Sequence, residues 1–426
     1  MSGGSRVRPV WRVLLFALIA IGCGGRPLPD RFHVTLIGID GAAWRVIDPM
    51  FRRGDLPNVR ALVEAGVRAP LRSQQPLISP AVWTTIASGV SRERHGIQLF
   101  KVGDRLVSSV DRKVPALWTL ASEAGLRSAV IGWWATYPAE AINGVVVSER
   151  ALKTREDDLR SGPRAGLPGP ETVGLVHPAN VLDTVADLLV AGETADEQSD
   201  ERGAVVRRMR AEDRAVAESL VRLRGTAGPF DLEMALLRGV DPISHYFWKY
   251  YEPDAPVYKP AERPTADELK TWGGAVEDHY RYVDGLLGEL GARPSPDHVI
   301  LLVSDHGFEA GRQQFHRGVL SGTHAGEAAL HGIFVASGGP IRRGLVLDEA
   351  SVLDVAPTIL YLLGLPVPDD LEGKVLDAAI DRSWRDAHPV RHVPPHATAA
   401  SEQGPPPTSA VDERLQRELK ALGYVE

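Results

Sequence analysis

The sequence predicts an α/β protein: a mostly parallel central sheet flanked by helices, carrying a helical insertion. Three observations lead there. Apolar runs without polar alternation, such as HVTLIGI before Asp40 and DHVILLVS before Asp305, fit strands covered on both faces, which is the condition of a central parallel sheet. Helical patterns separate these runs, the order expected of βα units. Acidic residues followed by glycine stand at the ends of the runs, where open α/β sheets place their ligand sites.

In chain order, His33 to Asp40 is the first strand, with Asp40 at its carboxyl end. Leu56 to Gly66 reads as a helix stopped by glycine. Ser79-Pro80 opens a second helix that Gly89 closes; proline suits the first helical position and serine the cap before it, so Ser79 is expected as N-cap of a helix over Pro80 to Ser88. Pro115 to Ala124 is a helix, and Arg127 to Trp133 and Gly144 to Ser148 are strands. Composition shifts after Arg150, and residues 151–228 are expected to be an insertion with helices over Ala179 to Ala191 and Asp200 to Arg224. It fits a lid near the substrate and a solvated decoration equally well. Phe230 to Leu237 resumes the sheet, Ala266 to Leu290 is a helix, and Asp297 to Ser304 and Gly332 to Ala336 are strands. Asp354 to Leu363 is a helix ended by Gly364. Arg382 to Thr408, rich in proline and histidine, is expected to be disordered, and Val411 to Leu422 to form a short helix.

The chain has 426 residues, 44% hydrophobic and 24% charged, ample for a large core. Arg6, Arg8 and Arg12 precede an apolar run from Val13 to Gly22, too short to span a bilayer but suited to a signal peptide over residues 1–22. Cys23, the single cysteine, follows small residues as in a bacterial lipobox. The expectation is a lipid-anchored protein of the bacterial cell envelope, on the periplasmic or extracellular face, attached to the membrane through Cys23. Residues 23–32 then form a linker, 33–380 the catalytic domain and 381–426 a tail. Loss of the leader removes three of the 48 basic residues and none of the 55 acidic ones, so the net charge falls from −7 to −10. That balance excludes binding of a nucleic-acid duplex through a broad basic face.

Candidate chemistry lies in four places. Ser79 at a helix N-terminus can cap the helix or serve as a nucleophile toward an anion. Asp305-His306-Gly307 ends a buried strand, where both side chains can turn toward one cation. Asp241 and His245, four residues apart, share a helix face. His324 lies in a loop bracketed by Gly322 and Gly326. Mixed Asp and His donors suit zinc, or manganese, better than calcium.

Taken together, GIDG at Asp40, SPAVWTTIASG with His95-Gly96-Ile97, VDPISH, SDHGF and GTHAG resemble the alkaline phosphatase superfamily, and within it the type I phosphodiesterase/nucleotide pyrophosphatase branch. The resemblance spans about His33 to Asp377 apart from the insertion. It implies two divalent metal ions, zinc foremost. Asp40, Asp305, His306 and Ser79 would hold one, and Asp241, His245 and His324 the other, with His331 and His316 as neighbours of His324. It implies metal-dependent hydrolysis of a small phosphoester, diester or monoester, through a phosphoserine at Ser79. Many members carry threonine at this position and an asparagine shortly after it, which this chain does not, so no nucleotide substrate follows. Sulfatases of the superfamily modify a Cys or Ser followed by x-Pro-x-Arg, which the residues after Ser79 do not match. Two other readings stay open: a phosphomutase of the same superfamily, and a non-catalytic binding lipoprotein with structural metal.

Overall fold

The computed structural model describes residues 1, 28–153, 173–190, 201–315, 318–395 and 410–425. The expected signal peptide, Cys23 and His316 lie outside the described residues, as do residues 154–172 and 191–200 of the insertion.

One ten-stranded sheet organises the chain. Its strands are β1 (His33–Ile39), β2 (Gly66–Arg72), β3 (Ser128–Ile131), β4 (Gly144–Val147), β5 (Val176–His177), β6 (Leu232–Leu237), β7 (His298–Val303), β8 (His331–Gly338), β9 (Leu345–Val346) and β10 (Ala350–Ser351). The spatial order is β9-β2-β8-β7-β1-β6-β3-β4-β5, with β10 also pairing β2. β1 lies at the centre, parallel to β6 on one side and to β7 on the other. β3 continues the parallel set beyond β6. The sheet is mixed at its flanks: β8 runs antiparallel to both β7 and β2, and β5 antiparallel to β4.

The continuous apolar runs have their physical reason in two cores. Ile37 and Ile39 of β1 point into one cluster, Val34 and Leu36 into the other. Each face is covered by helices, so both sets of alternate residues must be apolar. Gly38 interrupts the run because the ring of Trp83 packs there; a Cβ at Gly38 would stand 2.6 Å from that ring.

Several expected elements differ in detail. The helix at Ser79 begins at Ser79 itself: Ile78 is the N-cap, and its carbonyl accepts from the N–H groups of Ala81 and Val82. Ser79 therefore does not cap. Ala266 to Leu290 is two helices, Ala266–Trp272 and Ala275–Glu289, broken at the glycine pair 273–274. Part of the tail expected to be disordered is built in. Helix Arg382–Ala387 buries Trp384, and His392–Val393 pairs with Val367–Pro368. Helix Ala410–Ala421 follows, burying Val411, Leu415 and Leu419.

The described insertion helices, Val181–Val190 and Glu201–Thr226, pack on each other, and the longer one packs on β6 and on helix Val240–Tyr251. Asp213 of that longer helix accepts backbone N–H groups from Arg238 (2.9 Å) and Gly239 (3.1 Å) through one oxygen. Its other oxygen meets buried His279 at 3.0 Å. This part of the insertion is a buttress under the turn that enters helix Val240–Tyr251. Among the described residues, no helix is long and apolar enough to cross a membrane.

Candidate active site

The three central strands deliver three carboxylates to one place. Asp40 follows β1 directly, Asp305 lies two residues beyond β7, and Asp241 enters four residues after β6, inside helix Val240–Tyr251. Parallel neighbours end on the same edge, so strand order alone brings these residues together. Gly41 makes the close approach possible. Its φ is +74°, its N–H donates to Asp305 Oδ1 at 3.3 Å, and a Cβ there would stand 3.2 Å from the Cα of Asp241.

Asp40 is the hub of one group. Ser79 Oγ lies 3.5 Å from its Oδ1, and the Trp83 indole N–H donates to its Oδ2 at 3.2 Å. His306 Nε2 sits 3.5 Å from Asp40 Oδ1 and 3.4 Å from Asp305 Oδ2. A second group adjoins it. Asp241 Oδ1 lies 3.5 Å from His245 Nε2 and 3.9 Å from both His306 Nε2 and His324 Nε2. His306 stacks on His324, with ring centroids 4.2 Å apart, and thereby stands between the two groups. His331 does not join them: its ring meets Glu349 at 3.0 Å near the surface.

Hydrogen bonds fix how the imidazoles present themselves. The Nδ1–H of His245 donates to the Gly322 carbonyl at 2.9 Å, and that of His306 to the Gly307 carbonyl at 3.0 Å. With Nδ1 so engaged, the Nε2 of each ring is turned into the site, the arrangement that metal-ligating histidines use. Asp241 Oδ1, Asp305 Oδ2 and His306 Nε2 are buried and find no hydrogen-bond partner among the described residues. Buried polar atoms are almost always paired. Three that are not, all aimed at one spot, fit a bound cation. Asp40 with Asp305 and His306, and Asp241 with His306 and His324, each bring three ligand atoms within metal-binding reach.

The electrostatics agree. Burial raises Asp40 well above the ordinary carboxylate range, and the charges of Asp305 and Asp241 raise it further. Burial and Asp241 do the same to Asp305. Burial lowers His245 and His324, the latter also through His306 and His245. Three acids pressed together are unfavourable until positive charge joins them, and neutral imidazoles are the form that ligates.

Ser79 is 3% exposed, at the first turn of a fully buried helix. Thr84 and Thr85 are otherwise engaged. Thr84 Oγ1 donates to the Pro80 carbonyl at 2.7 Å, and Thr85 Oγ1 lies 3.2 Å from Gln74 and 3.1 Å from His95. Two residues had no signal in the sequence reading. One is Trp83, whose spacing from Ser79 along the helix could have suggested a shared surface. The other is Tyr424, whose hydroxyl donates to Asp241 Oδ2 at 2.7 Å.

A mixed sheet with acids and imidazoles clustered at the carboxyl edge of its parallel strands defines an alkaline phosphatase-like fold. Residues 34–347 match the family model "Type I phosphodiesterase / nucleotide pyrophosphatase", and the chain belongs to that family, whose reaction is phosphoester hydrolysis. A search of curated proteins found no match. The chain is similar to solved structures at low identity. Human ectonucleotide pyrophosphatase / phosphodiesterase 5 is 12% identical, with 82% of this chain and 98% of that one covered at a TM-score of 0.48. A 2-O GAG sulfatase is 14% identical, with 82% and 74% covered at 0.50. Phosphonoacetate hydrolase from Sinorhizobium meliloti is 16% identical, with 68% and 60% covered at 0.40.

Proposed function

We propose that this protein hydrolyses a small phosphoester by way of a phosphoserine at Ser79, in a site that holds two divalent cations. Asp40, Asp305 and His306, with Ser79, would hold one, and Asp241, His245 and His324 the other. The nitrogen and oxygen donors fit zinc, with manganese as the alternative. What carries the reading is the position of Ser79 Oγ, 3.5 Å from Asp40 in a pocket of three acids and three imidazoles, several of them with buried unpaired atoms.

Bound divalent cations would supply Lewis-acid charge that favours the serine alkoxide and offsets the charge of the transferring phosphoryl group. The chain's own residues do the rest. Ser79 gives up its hydroxyl proton and Oγ attacks phosphorus; the alcohol leaves from the opposite side and takes up a proton, and water then frees the group from Ser79, as phosphate from a monoester or as a phosphomonoester from a diester. Ser79 stands at the N-terminal, positive end of helix Ser79–Ser88, which favours the negative charge that develops there. Trp83, bonded to Oδ2 of Asp40, fixes that carboxylate with Oδ1 toward Ser79 and His306. The Nδ1–H bonds of His245 and His306 hold both rings in the ligating tautomer. The test is turnover of an aryl phosphodiester and of an aryl phosphomonoester by zinc-loaded protein and by chelated protein. Zinc-dependent release of the aryl alcohol from either one is expected, and the ratio of the two rates defines the substrate class. Failure on both, with metal bound, would leave a binding protein and sink the reading.

A further inference from the structure

The C-terminal segment reaches into the candidate site. Helix Ala410–Ala421 lies past residue 347, where the family match ends, and Tyr424 follows it. The Tyr424 hydroxyl oxygen lies 2.7 Å from Asp241 Oδ2, 2.7 Å from His245 Nε2 and 3.1 Å from His324 Nε2. We propose that residues 410–425 are an intramolecular stopper: docked, they hold Tyr424 on ground that a phosphoester must occupy, so substrate and the docked segment exclude each other. This rests on the hydrolase reading of the site and adds to it a built-in inhibitor.

Occupancy is the first argument. A catalytic metal centre leaves a position in front of its protein ligands open to water or substrate. Here one oxygen of the chain stands within hydrogen-bond distance of Asp241, His245 and His324 together. A phosphoryl oxygen and the Tyr424 hydroxyl cannot share that position.

The ring narrows the approach as well. It stacks on Phe100, with centroids 4.7 Å apart and planes 17° from parallel. Phe100 in turn meets Trp134 edge-on, with centroids 5.6 Å apart. One flat face of Phe100 is thus covered by the chain's own end.

The third argument is how the segment is held. Val411, Leu415, Leu419 and Leu422 are buried. Asp412 meets Arg150 at 2.6 Å, Glu418 meets Lys153, and Arg414 donates to the Lys153 carbonyl at 2.9 Å. Arg150 and Lys153 are buried and belong to the body of the fold, just past β4. These contacts place the helix without help from Tyr424. They are also contacts that can be given up. Buried ion pairs add little net stability, because both partners lose water, and a helix of 12 residues is marginal by itself. The helix lies outside the ten-stranded sheet, so its release takes no strand from that sheet.

The experiment uses the zinc-loaded full chain, unaltered and as Tyr424→Ala, with inorganic phosphate as the probe. Removing the phenol should tighten phosphate binding, read by calorimetric titration, by at least about fivefold, the low end of ordinary coupling between two binding events. The same change should raise kcat/KM for the aryl phosphoesters. Linkage requires the reverse effect too: saturating phosphate should speed amide hydrogen exchange in helix Ala410–Ala421 of the unaltered chain and have no such effect in Tyr424→Ala. Glu418→Gln keeps Tyr424 but weakens docking through Lys153, and should shift phosphate affinity in the same direction by a smaller factor. If Tyr424→Ala binds phosphate no more tightly and phosphate leaves the exchange unchanged, the inference is wrong. Hydrolysis by both proteins would then leave the reading of the site intact. If neither protein hydrolyses either ester, while phosphate binds Tyr424→Ala more tightly and loosens the helix of the unaltered chain, the stopper stands and the hydrolase reading fails.

Discussion

Replacing Ser79 with alanine separates a nucleophile from a structural hydroxyl, because the structure makes the two expectations differ by a large margin. Ser79 does not cap its helix; Ile78 does. The hydroxyl's one contact is a long one, 3.5 Å to Asp40. A typical hydrogen bond contributes about 0.5–1.5 kcal/mol net, and a contact at this limit falls at the low end. Ser79→Ala should therefore cost less than about 1 kcal/mol, a shift of a few degrees at most in a chain of this size. Loss of an attacking group lowers turnover by roughly 10³-fold or more, equivalent to about 4 kcal/mol in the barrier. Scanning calorimetry, zinc content and phosphoester turnover on the same preparation read all three quantities. The expected pattern is a melting temperature within a few degrees of the unaltered protein, metal content retained and activity near background. Thr84→Ala and Thr85→Ala, whose hydroxyls are tied to Pro80 and to Gln74 and His95, should stay active. Acid-quenched protein with substrate should carry a phosphoryl group on Ser79 by fragment mass spectrometry. An adduct on either threonine, or full turnover by Ser79→Ala, would refute the assignment.

Stability should respond to metal and pH together. In metal-free protein Asp40 and Asp305, raised by burial and by their acidic neighbours, keep protons in the folded state where unfolded carboxylates near 3.8 have lost them. The folded state then binds more protons, and their contribution to stability falls as pH rises above about 4. His245 and His324, lowered by burial, act oppositely and lose stability as pH falls below about 6.5. A cation takes the place of the protons, so the zinc-induced rise in melting temperature should grow from about pH 5 to about pH 8; an equal or shrinking rise would place zinc elsewhere. Asp213→Ala strips the partner from two buried N–H groups and from His279, and should cost about 2 kcal/mol or more and loosen the Asp241 centre. Denaturant midpoints with and without zinc would show whether the loss extends to metal affinity. Cys23→Ser should move the protein from the membrane fraction to the soluble one, and retention in the membrane would exclude an anchor at that residue.

The centre of the fold was legible because its strands are buried on both faces, which forces unbroken apolar runs in β1, β6 and β7. The carboxylates followed, since each stands just past such a run. The edges were not legible. β2 reads GVRAPLR, with a proline and two arginines, and becomes a strand through pairing with β8, more than 250 residues away in sequence. The break at the glycine pair 273–274 was hidden by helical patterns on both sides. Tyr424 could not be read at all. It lies 100 to 183 residues from its partners, just beyond a helix whose own pattern speaks only of amphipathicity. Nothing local marks a residue whose role is set by where a distant helix docks.

The central position of β1 has a consequence for how the chain comes to be folded. Its two pairing strands lie far downstream, β6 at a separation of 198 residues (Val34 with Leu232) and β7 at 265 (His33 with His298). Until they are synthesised, β1 has two open edges of apolar backbone, the condition that invites wrong pairing. At roughly 5–20 residues per second, the wait on the ribosome is on the order of 10 to 50 seconds. Non-local parallel pairing is slow as well. Nascent chains of this protein should therefore depend on holding factors that shield β1, and chains truncated before Leu232 should aggregate rather than form a smaller domain.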